Sequence, residues 1–272
     1  MPEFTIPSGG SMLTGEEAGE GKPVVLLHGL TATRRYVVMG SRSLERGGHR
    51  VVTYDARGHG TSDPAPDPAA YGYDALSADL LALMDEREVE RAVLAGASMG
   101  AHTSLAFALE HPERVAGLCL ITPAFDPGES DPDRFARWDA LSEGLRTGGV
   151  DGFVEAYGVP PVPERWRETV QKILRQRLGA HSHTDAVADA LRAVPRARPF
   201  DTWEALEAID QPTVVVADRD DADPEHPLAT GERYAEALKG ARLMVEEPGS
   251  SPLAWQGGQL SKVIASIAAQ AA

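Results

Sequence analysis

The chain alternates short, continuously apolar runs rich in β-branched residues with longer stretches in which apolar residues recur at helical spacing. A continuous apolar run is typical of a strand buried on both faces of a parallel sheet. Each run ends in small or polar residues, as a buried strand does where it reaches the edge of the sheet. The pattern predicts six strands, at residues 24–27, 51–54, 92–95, 118–121, 214–217 and 243–245.

Helical stretches separate these strands. In residues 74–87, for example, Leu76, Leu80 and Met84 fall at helical spacing. The predicted helices between and after the strands cover residues 34–46, 74–87, 99–110 and 258–269. Strands joined by crossover helices predict an α/β fold with a doubly wound, mostly parallel sheet.

One region interrupts the alternation, because residues 126–203 contain no convincing strand. A helical insertion at one point of the sheet explains this pattern, and we expect it to form a cap. The core is then predicted at residues 1–125 and 204–272, with the helical cap at 126–203. The predicted helices of the cap are residues 132–146, 150–157, 163–178 and 184–193.

Composition narrows the classes of function. The chain has 272 residues, a hydrophobic fraction of 42% and a net charge of −15, which suit one large domain and disfavour nucleic acids and anionic membranes as partners. No apolar run approaches the roughly 18 residues of a membrane span, and the first residues lack a basic and apolar leader. We therefore expect a cytoplasmic protein with a small-molecule substrate.

The pair His181-x-His183 has no third ligand at metal-binding spacing, so no metal is predicted. Oligomeric state is not readable from the sequence.

The segment Gly96-Ala97-Ser98-Met99-Gly100 matches the pattern G-x-S-x-G. It lies between a predicted strand and a predicted helix, which is the context that a nucleophile elbow requires. The turn is so sharp that only small residues fit two positions before and after the serine. We interpret Ser98 as a nucleophile at a helix N-terminus, the alternative being a serine that only caps the helix.

With this motif the chain resembles the α/β-hydrolase family, in particular its cap-bearing esterase and C–C hydrolase branch. Four further segments carry the resemblance, namely VVLLHGL at 24–30, YDARGHGTS at 54–62, residues 203–216 and residues 241–252. It implies an α/β-hydrolase fold and no cofactor. The helical cap follows the sixth strand in the family's count, which corresponds to the predicted strand at residues 118–121. The resemblance also implies an oxyanion hole built from the backbone N–H groups of Leu30 and Met99, with His28 as a structural residue near that loop.

The resemblance places the catalytic acid after the strand at 214–217. In similar proteins the acid lies about nine positions after the proline that precedes this strand, here Pro212, which indicates Asp221. Asp220 is the near alternative, and Asp126 is the distant one. All three also fit the simpler interpretation of solvated acidic residues in loops.

The chain departs from the family at the base. The family has a histidine in the loop after the last strand, but here Ser250 takes that position and no histidine follows His226. Since a serine hydroxyl needs a base to accept its proton, other histidines come into question. We interpret His102 as packed between helix and sheet, His181 and His183 as surface residues of the cap, and His226 as structural.

Three functions remain open from the sequence. The first is a serine hydrolase that acts on a small carboxylic ester through an acyl-enzyme on Ser98, weak because its catalytic triad is incomplete. The second is a non-catalytic relative that binds a small ligand in the same cleft. The third is a cofactor-free perhydrolase or C–C hydrolase, because fold alone does not determine chemistry.

Overall fold

The computed structural model describes residues 2–129, 132–219, 223 and 225–271. Its central sheet has eight strands, β1 (Glu3–Ser8), β2 (Ser11–Ala18), β3 (Lys22–Leu27), β4 (His49–Tyr54), β5 (Ala92–Ala97), β6 (Val115–Ile121), β7 (Thr213–Ala217) and β8 (Arg242–Val245). Their order across the sheet is β1-β2-β4-β3-β5-β6-β7-β8. The six predicted strands are β3 to β8, so the predicted sheet is confirmed.

In this sheet β2 alone runs antiparallel to the other strands. From β4 to β8 all neighbouring strands are parallel, whereas β1 and β2 form an antiparallel hairpin and β2 pairs antiparallel with β4. The hairpin was not predicted, because few of its side chains are apolar. Ile6 and Leu13 are buried, but Met12 is exposed.

Helices cover both faces of the sheet. They are α1 (Ser43–Arg46), α2 (Tyr73–Glu86), α3 (Met99–Glu110), α4 (Pro132–Tyr157), α5 (Glu164–Leu178), α6 (Thr184–Ala193), α7 (Leu228–Ala237) and α8 (Gly257–Gln270). The helix predicted at residues 34–46 is wrong for most of its length. Met39 and Gly40 have positive φ angles of 48° and 74°, which end any helix, and only the 3-10 turn Arg34–Tyr36 and α1 remain.

The helices α4, α5 and α6 lie between β6 and β7 along the chain. Helix α4 is kinked at Gly149, where φ is 59°, and this kink separates the two helices predicted at 132–146 and 150–157. Buried side chains of these helices, including Leu145 and Phe153, share one apolar cluster with Leu30 and Met99. The three helices therefore lie over the carboxyl ends of β3 and β5. Among the described residues, no helix combines the length and apolar character needed to cross a bilayer.

Candidate active site

Ser98 occupies a strained turn between β5 and α3. Its φ and ψ are 49° and −110°, a conformation that non-glycine residues rarely adopt. The turn is possible only because of its flanking glycines. A Cβ on Gly96 would lie 2.1 Å from the Gly100 carbonyl oxygen, and a Cβ on Gly100 would lie 2.2 Å from that of Leu27. The steric argument made from the G-x-S-x-G pattern thus has a direct counterpart in the structure.

The imidazole of His226 lies beside the Ser98 hydroxyl. Its Nε2 is 2.9 Å from Ser98 Oγ, and its Nδ1 is 3.0 Å from both carboxylate oxygens of Asp223. Both residues lie in the loop between β7 and α7, where the His226 N–H donates to the Asp223 carbonyl at 3.2 Å. A serine, an imidazole and a carboxylate are therefore joined in one hydrogen-bonded chain.

This contact corrects the interpretation of His226 as structural, because its imidazole lies where a base for Ser98 would have to be. The sequence signal for this pair is Asp223-x-x-His226 in the segment after the buried strand β7. The family pattern indicates a histidine in the loop after the last strand instead. Ser250 does lie in that loop, where it is exposed and its N–H donates to the Glu247 carbonyl at 2.9 Å.

The carboxylate of Asp223 controls the protonation of His226. Burial alone would lower the pKa of His226, but the charge of Asp223 and its hydrogen bond raise the pKa above the usual value. An imidazole with Nδ1–H directed at a carboxylate has its Nε2 lone pair free to accept a proton from Ser98.

The acids predicted from the sequence have other positions. Asp221 and its near alternative Asp220 lie outside the described residues. Asp126 lines the cavity at Ser98, but its Oδ2 forms an ion pair with Arg233 at 3.2 Å and its Oδ1 accepts the Gly128 N–H at 2.8 Å. In the described part of the chain, Asp223 is the carboxylate bonded to His226.

His102 is held in a structural role, as expected. Its Nε2 accepts the N–H groups of Ala124 and Phe125 at 3.0 and 3.1 Å, and its Nδ1 lies 3.0 Å from the Tyr73 hydroxyl. Burial lowers the pKa of His102 to about 3, so the ring is neutral and its lone pair is already used. His183 is exposed at the N-terminus of α6.

The predicted surface position of His181 is wrong. The side chain is buried, and its two nitrogens contact the backbone of Gly60 and Thr31. Burial lowers the pKa of His181 to about 3. Both nitrogens are therefore engaged with the backbone rather than with Ser98.

The loop after β3 lies against Ser98. A Cβ added to Gly29 would lie 3.5 Å from Ser98 Cβ, and Leu30 and Met99 line the same cavity as the serine. Within the described residues, neither the Leu30 nor the Met99 N–H donates a backbone hydrogen bond. Both donors are thus available for a negatively charged oxygen formed next to Ser98.

A cavity of about 1020 Å³ lies above the Ser98 hydroxyl. Its floor is the sheet edge with Ser98 and His226, and its walls come largely from α4 and α5. The aromatic residues Trp138, Phe153 and Tyr157 of α4 line the cavity. Trp166 of α5 instead packs edge-on against Trp255, with ring centroids 5.6 Å apart.

Four arginines line this cavity, and three of them have acidic partners. The pairs are Arg134 with Glu129, Arg137 with Glu225 and Arg233 with Asp126. The fourth, Arg177, has no ion pair with a described residue, and its Nε is buried without a hydrogen-bond partner. Burial lowers the pKa of Arg177. Its guanidinium carbon lies 5.3 Å from the Tyr36 ring centroid, so the charge packs against an aromatic ring and forms no ion pair with the residues that the structure describes.

In the described parts of the chain, no group of three or more histidine, cysteine, aspartate or glutamate side chains has a geometry that could hold a metal ion. The groups that reach the cavity are a hydroxyl, imidazoles, carboxylates, guanidinium groups and aromatic rings. These groups suffice for nucleophilic and acid–base chemistry.

Comparison with known proteins places this geometry in context. The sequence model of a family described as "alpha/beta hydrolase fold" matches residues 22–149. RutD of Variovorax paradoxus (strain S110), named as a candidate carbamate hydrolase, is 31% identical over 225 residues, which are 82% of each chain. The 2-hydroxy-6-oxononadienedioate/2-hydroxy-6-oxononatrienedioate hydrolase 2 of Pseudomonas putida is 32% identical over 86% of this chain and 80% of that protein.

Among solved structures, a thermophilic esterase from Thermogutta terrifontis, determined with malate bound, superposes with a TM-score of 0.81. The superposition covers 100% of this chain and 99% of that one at 23% identity. At this identity the likeness concerns the fold. The two sequence relatives and this structural neighbour all carry names of hydrolases.

Proposed function

Since this chain belongs to the α/β-hydrolase fold family, we propose that it hydrolyses a small carboxylic ester through an acyl-enzyme formed on Ser98. The observation that carries the proposal is the contact of 2.9 Å between His226 Nε2 and Ser98 Oγ, with Asp223 on the other ring nitrogen. A hydroxyl that is not ionised at neutral pH becomes a nucleophile when a base takes its proton.

The reaction proceeds in two halves. His226 Nε2 accepts the Ser98 proton while Oγ attacks the ester carbonyl carbon, and the N–H groups of Leu30 and Met99 hold the resulting oxyanion. His226 then gives the proton to the departing alkoxide, which leaves as an alcohol. In the second half, His226 takes a proton from water, which attacks the acyl carbon. His226 then returns the proton to Ser98 Oγ as the bond from Oγ to the acyl carbon breaks and the carboxylic acid leaves. Asp223 accepts the Nδ1–H bond throughout and stabilises the imidazolium in each half.

The cavity supports an ester that carries an anionic group. Arg177 lines it as a guanidinium without an acidic partner among the described residues, and Trp138 Nε1 is a second buried donor without an acceptor. Buried donors that lack partners cost free energy, and a carboxylate on the substrate satisfies them. One relative is named for hydrolysing a dioate, which carries two carboxylates.

The His226 contact also bears on the alternatives. The non-catalytic binding protein was motivated by the absence of a base, and His226 removes that motivation. A C–C hydrolase would use the same groups, so the choice between C–C and ester bonds depends on the substrate rather than on the site.

A fluorophosphonate probe tests the proposal, because it labels only an activated serine. We expect rapid labelling of the natural protein, none with Ser98→Ala, and slow labelling with His226→Gln. Losing the base of a serine triad lowers kcat by roughly 10⁶, with about 10³–10⁴ of acceleration over water left. His183→Gln, an exposed histidine, is the matched control and labels normally. Equal labelling of the natural protein and Ser98→Ala, or of His226→Gln and the natural protein, overturns the proposal.

A further inference from the structure

Three buried histidines surround the loop that carries the Leu30 N–H. They are His28 at the end of β3, His59 in the loop after β4, and His181 between α5 and α6, with exposed fractions of 2%, 1% and 9%. Their rings lie in a row, with centroids 5.1 Å apart from His28 to His59 and 5.5 Å apart from His59 to His181. The reaction proposed above uses none of these imidazoles.

Each imidazole contacts a different carbonyl of the same loop. The distances are 2.8 Å from His28 Nδ1 to the Gly29 oxygen, 2.6 Å from His59 Nε2 to the Leu30 oxygen, and 3.2 Å from His181 Nε2 to the Thr31 oxygen. Each of three successive carbonyl oxygens thus lies within hydrogen-bond distance of one imidazole. The Gly29 carbonyl belongs to the same peptide group as the Leu30 N–H, so fixing the carbonyl on one side directs the N–H to the other.

The tautomers of the outer two histidines follow from their second contacts. The Ala56 N–H donates to His28 Nε2 at 2.9 Å, and the Gly60 N–H donates to His181 Nδ1 at 2.8 Å. A nitrogen that accepts a backbone N–H carries no proton, so the proton of His181 is on Nε2 and is donated to the Thr31 carbonyl.

His181 differs from the other two in its place along the chain. His28 and His59 belong to the loops after β3 and β4, whereas His181 follows α5, whose Arg177 and Leu174 line the cavity. The next residue, Ser182, donates its N–H to the Gly60 carbonyl at 2.7 Å. Both polar groups of the Gly60 backbone are therefore bonded to this segment.

We propose that His181 is a positioning residue that couples the segment between α5 and α6 to the oxyanion-binding loop. Through this contact, the position of the helices over the substrate and the orientation of the Leu30 N–H depend on each other. This inference rests on the proposed function, in which Leu30 contributes to the oxyanion hole. An oxyanion-hole donor is effective only when its orientation is fixed before the reaction. The hydrogen bond from His181 to the Thr31 carbonyl is how the segment between α5 and α6 helps to hold the loop that carries the Leu30 N–H.

Two substitutions separate positioning from packing. His181→Gln can place an amide N–H near the former Nε2 and keep the bond to Thr31, whereas His181→Asn can place its oxygen near the former Nδ1 and keep only the bond from Gly60. We expect His181→Asn to lower kcat on 4-nitrophenyl butyrate about tenfold or more with little change in KM, because misplacement of a catalytic group costs rate. His181→Gln restores most of kcat. His183→Asn is the exposed control.

The affinity for phenylboronic acid, a mimic of the oxyanion intermediate, provides the second readout. It should weaken in His181→Asn in parallel with kcat and stay near the natural value in His181→Gln. Equal losses of kcat and of boronic acid affinity in the two variants, with equal losses of Tm, indicate packing alone and overturn the inference. An unchanged kcat in His181→Asn, or a larger loss of kcat in His181→Gln, also overturns it.

If neither variant folds, NMR of the natural protein labelled with ¹⁵N-histidine decides the question. The His181 Nε2–H signal should be protected from solvent and shift when phenylboronic acid binds, and an unperturbed signal overturns the inference. If the natural protein shows no turnover that depends on Ser98, the proposed function itself fails. Turnover that depends on Ser98 without the expected pattern at His181 refutes only this inference.

Discussion

Arg177 differs from the other three arginines of the cavity in having no ion pair with a described residue. In a chain with a net charge of −15, an arginine without an acidic partner is unusual, because acidic side chains are abundant. Asp223 is close enough to influence the pKa of Arg177, but both of its carboxylate oxygens already contact His226. Because no described residue pairs with Arg177, the proposed function gives it a carboxylate of the substrate as its partner.

We predict that Arg177→Gln discriminates between charged and neutral esters. The value of kcat/KM for mono-4-nitrophenyl glutarate should fall about 10- to 100-fold, since a hydrogen bond to a charged group contributes about 1.5–3 kcal/mol. For 4-nitrophenyl pentanoate, which has a similar length and no charge, it should change less than about threefold. Steady-state kinetics with both esters measure the difference.

The control for this prediction is Arg175→Gln, because Arg175 is exposed on the same helix and pairs with Asp151. It should leave both substrates unaffected. Equal losses on the charged and neutral esters with Arg177→Gln would show that Arg177 acts through the charge of Asp223 and not on the substrate.

At the level of elements, the sequence correctly predicted those helices and strands whose structure is determined by a local pattern of residues. Helix α3, predicted at residues 99–110, has those bounds, and the elbow before it follows from glycines that the turn requires. Strands β3 to β8 are continuous apolar runs. The hairpin of β1 and β2 has no such run and was therefore missed. The helix predicted at residues 34–46 is interrupted by positive φ angles at Met39 and Gly40, which the spacing of apolar residues does not reveal.

The base could not be predicted in the same way, because its position depends on the path of a loop. Asp223 and Ser98 are distant in sequence, and only the packing of the loop after β7 against the elbow brings His226 to the serine. The family pattern pointed instead to the loop after β8. In this chain that loop is held by Glu246, whose carboxylate accepts the N–H groups of Arg219 and Leu253 at 2.8 and 3.4 Å.

This arrangement predicts that a histidine in the loop after β8 does not replace His226. In a His226→Gln background, adding Ser250→His should leave kcat on 4-nitrophenyl butyrate within about threefold of the single variant, far from the roughly 10⁶ that a triad histidine contributes. The described cavity lining does not include Ser250. The single variant His226→Gln is the reference. Recovery of kcat by two orders of magnitude or more would contradict the prediction and show that a base in the loop after β8 can reach Ser98.

For the whole molecule, the dependence of stability on pH should reflect one buried carboxyl group. Asp218 is fully buried directly after β7, and its Oδ1 accepts the Ala254 N–H at 3.1 Å. Its Oδ2 has no hydrogen-bond partner among the described residues. Burial, together with the charges of Asp223 and Glu246, raises the pKa of Asp218 to about 7. The folded protein therefore keeps a proton that the unfolded chain, with an aspartate pKa of about 3.9, has already lost.

The sign of the effect follows from this difference in bound protons. Below about pH 4 both states hold the proton, and the stabilising contribution of the raised pKa is fully present. Between about pH 4 and pH 7 only the folded state holds it, so this contribution is lost as the pH rises to about 7. Asp218→Asn does not titrate, so the free energy of unfolding of the variant relative to the natural protein should rise by about 2–3 kcal/mol from pH 5 to pH 8. Urea unfolding followed by circular dichroism at both pH values measures the change. Asp201→Asn, at a side chain that is 93% exposed, should show no such rise, and parallel pH profiles for the natural protein and Asp218→Asn would contradict the prediction.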